Sequence, residues 1–272
     1  MKYKMIVSDF DDTLIADDLR YSENTQRAIR EYTAAGGRFV IATGRMLNAI
    51  LPAARALGLK GEVLAYQGAI VGDIESGAVL EQTFIDTDVL IAVLERLEQN
   101  GFYIQIYVDE TVLVAELTDY SRLYEKFCMC PMRATGMPLS RYVRESGVHT
   151  VKIVAMGDPK AISEEIDDLN ALFGDRVLIN TSKPFLLEVV SDRIDKGKAV
   201  LRLAERYGIR REETICVGDS ANDVPMLRVA GLGAAVANAS EVAKSNADVV
   251  VPSNNEDGVA YVIDRYGLEK PI

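Results

Sequence analysis

The chain has 272 residues, 30 Lys+Arg against 41 Asp+Glu for a formal charge of −11, and 49% hydrophobic residues. That length and apolar content can bury one large core or two modest ones, and they exclude a disordered chain or a small disulfide scaffold. The negative field repels phosphate backbones and no Lys/Arg run offsets it, so no nucleic-acid partner is expected.

Met5-Ile6-Val7 is too short for a signal-peptide core, and no apolar run reaches the roughly 18 residues of a membrane span. No membrane partner is expected, and a cytoplasmic location is. Cys128, Cys130 and Cys216 form an odd, sparse set that argues for a reducing compartment. Two thiols one residue apart, with no second pair and a single histidine, fall short of a zinc site.

In chain order, Lys4 to Ser8 reads as a first strand. Ser22 is a plausible N-cap for a helix from Glu23 to Ala35, with Ala28, Ile29 and Tyr32 at helical spacing and Gly36-Gly37 as its stop. Arg38 to Ala42 is predicted as a strand, Met46 to Leu57 as a helix ending at Gly58, and Val63 to Ala65 as a third strand. Ala69 to Asp73 and Ala78 to Thr83 read as a hairpin turning at Ser76-Gly77.

From Phe84 the pattern changes to α+β. A helix near Asp88 to Gln99 precedes strands Phe102 to Val108 and Val112 to Ala115, then a loop holding Pro131, Gly136 and Pro138. His149 to Met156, a helix over Lys160 to Phe173, and strands Val177 to Asn180 and Phe185 to Val190 complete an inserted block. The α/β alternation then returns: helix Gly197 to Tyr207, strand Thr214 to Val217, helix Val224 to Ala230, strand Ala234 to Ala237, a short helix near Glu241, strand Val249 to Val251 and a last helix from Gly258. The chain is expected to divide into a core of residues 1–83 and 190–272 and an insertion of residues 84–189.

Three polar clusters follow three apolar strands: Asp9-Phe10-Asp11-Asp12-Thr13, Thr43-Gly44-Arg45, and Gly218-Asp219-Ser220-Ala221-Asn222-Asp223. Carboxyl ends of strands in an open parallel sheet form the ligand crevice, so these distant segments are expected to converge, together with Lys196. Carboxylates at such density repel one another unless a cation sits among them, and an all-oxygen set suits Mg²⁺. A carboxylate pair two residues apart, a hard cation, a hydroxyl and a lysine suit phosphoryl transfer, with one carboxylate attacking phosphorus and the other handling the proton.

Other motifs fail on their own terms. An EF-hand opening at Asp9 would need glycine where Leu14 stands and glutamate where Arg20 stands. Gly197-Lys198 lacks the preceding glycine of a P-loop, and Gly231-Leu232-Gly233 precedes a strand instead of following one.

In order, these clusters strongly resemble the haloacid dehalogenase superfamily of aspartyl-phosphate phosphatases. Asp9-Phe10-Asp11-Asp12-Thr13-Leu14 matches its first motif, Thr43 the second, Lys196 the third and Gly218 to Asp223 the fourth. The insertion, with Ile194-Asp195-Lys196-Gly197 and Asn254-Asn255-Glu256-Asp257-Gly258, is similar to the Cof-type branch. The resemblance implies an α/β fold, a Rossmann-like, doubly wound, mainly parallel core with an inserted α+β cap domain of C2 type.

It further implies Asp9 as nucleophile, Asp11 as general acid and then base, and Thr43, Gly44, Lys196 and Asn222 as phosphate-binding residues. Mg²⁺ would be held by the carboxylates of Asp9 and Asp219 and the backbone carbonyl of Asp11, with Asp223 in or just behind that shell. The substrate would be a small phosphorylated metabolite of the sugar phosphate or cofactor phosphate class; a phosphomutase or a non-catalytic phosphometabolite sensor stays open as an alternative. Lys196 could instead be a solvated residue ahead of a helix, and Asp223 an N-cap.

Two departures from the pattern stand out: Asp12 where glycine is usual, which could turn outward, and Gln67-Gly68 where Asn-Gly is common. Arg45 could steer the cap but is rather expected to pair with a surface carboxylate, and His149, Cys128 and Tyr142 in the insertion could face the substrate but are rather expected to serve in packing or at the rim. Oligomeric state is not legible in the chain.

Overall fold

The computed structural model describes residues 1–119, Ser121, Glu125, 131–181 and 183–271, so that Cys128 and Cys130 lie outside the described residues. Two compact units emerge: Met1–Arg45, Ile50–Leu80 and Asp195–Ile272 form the first, and Met46–Ala49 with Glu81–Ile194 the second.

The first unit begins with strand β1 (Met5–Ser8), wholly buried, then helix α1 (Glu23–Ala34), strand β2 (Arg38–Ile41), helix α2 (Leu47–Ala56), whose first residues group with the second unit, and strand β3 (Glu62–Ala65). Ser22 starts α1 as anticipated: its hydroxyl accepts the Thr25 N–H at 3.0 Å, satisfying one of the amides that a helix start leaves open. Ala28, Ile29 and Tyr32 form the buried stripe of α1. A single 3₁₀ turn over Tyr66–Gly68 leads to strands β4 (Ile70–Asp73) and β5 (Val79–Gln82), which complete a three-stranded sheet in the order β3-β4-β5.

In the second unit, helix α3 (Thr87–Gln99) precedes strands β6 (Tyr103–Val108) and β7 (Thr111–Val114), turning through Asp109 and Glu110, both at positive φ. The stretch predicted as loop around Pro131 to Pro138 contains strand β8 (Met132–Ala134), and helix α4 (Leu139–Ser146) follows it. Helix α4 is only two turns long; Leu139 and Val143 anchor it and Gly147 at φ 69° stops it, too short a periodic run to register against the prolines. Strand β9 spans Lys152–Met156, shorter than anticipated because Thr150 turns its hydroxyl onto backbone, accepting from Tyr107 N and donating to carbonyls. Helix α5 (Pro159–Phe173), β10 (Val177–Asn180) and β11 (Leu186–Ser191) complete a sheet ordered β10-β11-β9-β6-β7-β8. Its core is a continuous apolar cluster that includes Leu90, Leu94, Ile106, Ile153, Leu169 and Val189. On the same sheet, Lys152 of β9 and Glu188 of β11 form a buried ion pair at 2.7 Å.

The chain then returns to the first unit with helix α6 (Lys196–Arg206), β12 (Thr214–Gly218), helix α7 (Val224–Val229), β13 (Leu232–Val236), helix α8 (Glu241–Lys244), β14 (Val249–Val251) and helix α9 (Gly258–Val262). Strand β13 begins two residues before the predicted Ala234 because Gly233 belongs to it: a Cβ there would stand 2.5 Å from the Leu227 carbonyl oxygen, so the close approach of α7 requires glycine.

These strands form a five-stranded, all-parallel sheet in the order β14-β13-β12-β1-β2. Chain order runs outward from β1 to β2 on one side and from β12 to β14 on the other, so the sheet is doubly wound and its switch point lies between β1 and β12. Among the described residues, no helix is long and apolar enough to cross a membrane.

Candidate active site

The switch point places the carboxyl ends of β1 and β12 side by side, with Met5 to Ser8 in register with Thr214 to Val217 and the Asp9 amide donating to the Val217 carbonyl at 2.9 Å. Asp9 and Asp219 each lie one residue beyond a buried strand. With Asp223 they form a trio of carboxylates whose oxygens all lie within 4.8 Å of one another.

Lys196, the first residue of α6 and 1% exposed, reaches into this trio: Nζ donates to Asp9 Oδ1 at 2.5 Å and to Asp223 Oδ1 at 2.6 Å. A buried amine held by two carboxylates is not a solvated helix residue. The approach of α6 depends on Gly197, where a Cβ would meet the Pro225 carbonyl oxygen at 2.5 Å.

Asp223 is fully buried and organises its own loop. Its Oδ2 accepts the amides of Asp219 and Ser220, both at 3.0 Å, and the Ser220 hydroxyl at 3.2 Å. It makes no side-chain cap to α7, so its role is to fix the turn bearing Asp219. Gly218 admits it, since a Cβ at Gly218 would lie 2.5 Å from that of Asp223. Thr13 donates its hydroxyl to Asp219 Oδ1 at 2.9 Å, and Ser220 donates to the side-chain oxygen of Asn222 at 2.6 Å, holding that amide in the loop.

Three carboxylates and one ammonium leave the site electron-rich. Burial pushes the Asp9 carboxyl well above the usual carboxylate range; Lys196 opposes this, while Asp223 and Asp219 reinforce it. Burial, then the charge of Asp223, raise Asp219 to about 6 against the opposing Thr13 hydrogen bond. Burial alone lowers Lys196, but the charges of Asp223 and Asp9 outweigh it and hold the ammonium protonated. Carboxylates that resist ionisation because they are buried, and then because they neighbour one another, are what a divalent cation relieves, and the all-oxygen donor set fits Mg²⁺.

Asp11 stands apart from the trio. Arg45 grips its carboxylate in a fork, Nε to Oδ2 at 2.9 Å and Nη2 to Oδ1 at 2.6 Å, with the guanidinium carbon 4.9 Å from the centre of the Phe10 ring. The partner of Arg45 is thus a partly exposed carboxylate, that of Asp11. Thr43 is buried after β2, and its hydroxyl accepts the Arg45 amide at 3.1 Å. Asp12 is exposed and sits at φ 56°, the left-handed conformation that explains why glycine suits this position and that aspartate tolerates. Asn238 donates to its carbonyl at 2.7 Å.

Gln67 also carries structural weight. It occupies φ 61°, donates its amide to the Thr43 carbonyl at 2.9 Å, and is 8% exposed. Its Nε2 lies where a Cβ on Gly44 would be, 2.7 Å away, so Gly44 makes room for it. Ser220, Gly197 and Asn238 carried no role in the sequence reading; Ser220 lay inside a recognised motif, while Asn238 had no local signal. In the second unit, His149 lies 5.3 Å from the Phe84 ring centre, and Tyr142 packs partly buried against the apolar cluster while accepting from Arg133 at 3.2 Å.

The profile of the haloacid dehalogenase-like hydrolases matches residues 6–263. A phosphoglycolate phosphatase from Methanopyrus kandleri is 30% identical to this chain, covering 94% of each. A 5-amino-6-(5-phospho-D-ribitylamino)uracil phosphatase from Bacillus subtilis is 28% identical over 97% of this chain and 96% of its own. The crystal structure of a Thermotoga maritima protein superposes with a TM-score of 0.83 at 32% identity, covering 97% of each chain. The chain therefore belongs to the haloacid dehalogenase-like hydrolases of Cof type and is an enzyme of their phosphatase class.

Proposed function

We propose that the enzyme hydrolyses small phosphomonoesters with Mg²⁺ by way of a phosphoryl group carried on Asp9. The observation that carries this reading is Lys196 held between Asp9 and Asp223 at the switch point, beside Asp219.

Asp9, Asp219 and the backbone carbonyl of Asp11, with Asp223 in or just behind them, would hold Mg²⁺, which when bound supplies positive charge to the phosphoryl oxygens. The Asp9 carboxylate attacks phosphorus in line, forming an O–P bond as the bond to the ester oxygen breaks. Asp11 gives its proton to that departing oxygen, releasing an alcohol. The same carboxylate then takes a proton from water, whose oxygen attacks the phosphorus and returns Asp9 with inorganic phosphate.

Lys196, Thr43, Gly44 and Asn222 bind the transferring oxygens; Lys196 also favours the ionised form of Asp9 against the burial that disfavours it. Arg45 fixes the position of the Asp11 carboxyl through two hydrogen bonds. The phosphatase names of the relatives support the substrate class, which we narrow to sugar phosphates or cofactor phosphates. A cytoplasmic setting belongs to the same reading, and the free, buried thiol of Cys216 accords with it.

The test is phosphate release from a panel including phosphoglycolate, sugar phosphates and pyridoxal or flavin phosphates, with and without Mg²⁺. Metal-dependent release from wild type, abolished in Asp9→Asn, is the expected result. Interconversion of phosphate positions that needs a bisphosphate, with no phosphate released, would replace hydrolysis by mutase chemistry. Binding without turnover of any kind would point to a sensor.

A further inference from the structure

A cavity of about 420 Å³ lies in the first unit, lined among others by Arg30, Arg38, Lys60, Glu62 and Tyr207. It sits at the opposite end of the sheet from the candidate active site: Arg38 is the first residue of β2, whereas Thr43 follows the carboxyl end of that strand. Its volume falls in the range of small-molecule sites, about 300–1,000 Å³.

The charge of the cavity runs against that of the chain. In a protein of net charge −11 most described cations meet a carboxylate, yet among the described residues Arg30 and Lys60 have no side-chain ion pair. Arg38 holds its guanidinium carbon 3.6 Å from the centre of the Tyr207 ring, a cation–π contact that makes no use of its charge on an acid. The only acid in the lining, Glu62, is paired with Arg206 at 3.5 Å.

Helix ends do not account for these cations. Helices α1 and α2 both finish beside the cavity, and carboxyl ends of helices attract positive charge. Three carbonyls in the last turn of each are nevertheless already engaged: Glu31, Tyr32 and Thr33 accept from Ala35, Gly37 and Gly36, and Ala53, Ala54 and Arg55 accept from Leu57, Leu59 and Gly58. Three exposed cations therefore line a cavity whose one acid, Glu62, already has a partner.

We propose that this cavity binds a small free polyanion, a phosphorylated or polycarboxylate metabolite, through Arg30, Arg38 and Lys60. The site is distinct from the one that holds Asp9 and independent of the reaction assigned to it.

Calorimetric titration of the full chain with inorganic pyrophosphate, and separately with citrate, tests this in metal-free buffer, where the carboxylate trio repels anions. The expected result is one site per chain, weakened about tenfold or more by Arg30→Gln or Lys60→Gln, as loss of a charge-assisted hydrogen bond implies. Binding should be unchanged by Arg265→Gln, and should fall as salt rises. Comparison of the two probes tells phosphate from carboxylate preference. Either no binding of both probes, or binding that these two substitutions leave intact, overturns the proposal. So does a loss of melting temperature in the two variants with no ligand effect, since that would reduce the cations to helix-end charges.

Discussion

Lys196 shows how a single side chain ties the site together. Its ammonium is the counter-ion of two buried carboxylates, and removing one partner of such a group leaves uncompensated charge. Lys196→Met should cost about 3–5 kcal/mol in urea unfolding without metal, and added Mg²⁺ should recover part of it. At Arg45 the balance differs: the Arg45–Asp11 pair is more than a third exposed on each side, so Arg45→Gln should change stability by less than about 1 kcal/mol. Turnover should fall nonetheless, because Asp11 loses its positioning partner; equal turnover in Arg45→Gln and wild type would remove Arg45 from the mechanism. Asp219 gives the pH dependence. Its folded pKa is raised from 3.8 to about 6, so its contribution to stability is fully present below 3.8 and is lost as pH rises through about 6. Mg²⁺ bound there offsets the resulting cost, so the rise in melting temperature on adding Mg²⁺ should grow between about pH 4.5 and 7, and Asp219→Asn should flatten that trend.

At the level of elements, caps and close approaches decide where the chemistry sits. Ser22→Ala removes the N-cap of α1 together with a hydrogen bond from the hydroxyl to Asp257, and should cost about 1 kcal/mol by thermal or urea unfolding, without loss of turnover. Gly197→Ala should be more damaging. The backbone of α7 blocks the new methyl group, α6 must shift, and with it Lys196, so phosphate release should fall steeply even where the protein still folds. Both glycine and serine were visible in the chain, but they differ in legibility. A serine before a periodic apolar run announces a cap by itself, whereas Gly197 and Gly233 are explained only by backbone atoms of α7, which the sequence does not place beside them. Helix α4 and strand β8 escaped for a related reason: short elements flanked by prolines gain their stability from Leu139, Val143 and the sheet register Val112 to Met132, all tertiary in origin.

For the whole molecule, the doubly wound sheet makes the electrostatics of distant segments one problem. Because the trio comes together only when the segments that follow β1 and β12 are assembled, Mg²⁺ held there as proposed, at about a hundredfold over its Kd, should stabilise the fold by about 2.7 kcal/mol. Thermal unfolding checks this, and the gain should vanish in Asp219→Asn. Alternating strands and helices and the order of the three polar clusters were set locally, by side-chain periodicity and charge, and so the fold class, and the meeting of Asp9, Lys196 and Asp219 at one end of the sheet, could be read from the chain alone. The tertiary structure alone decided which other groups meet. It gave Asp11 to Arg45, Asp223 to the Ser220 turn and to Lys196, and Gln67 to the space left by Gly44, and it gathered Arg30, Arg38 and Lys60 on one cavity. Such pairings depend on strand order and helix approach, which bring together residues as distant as Thr13 and Asp219, 206 positions apart, and leave no trace in local periodicity.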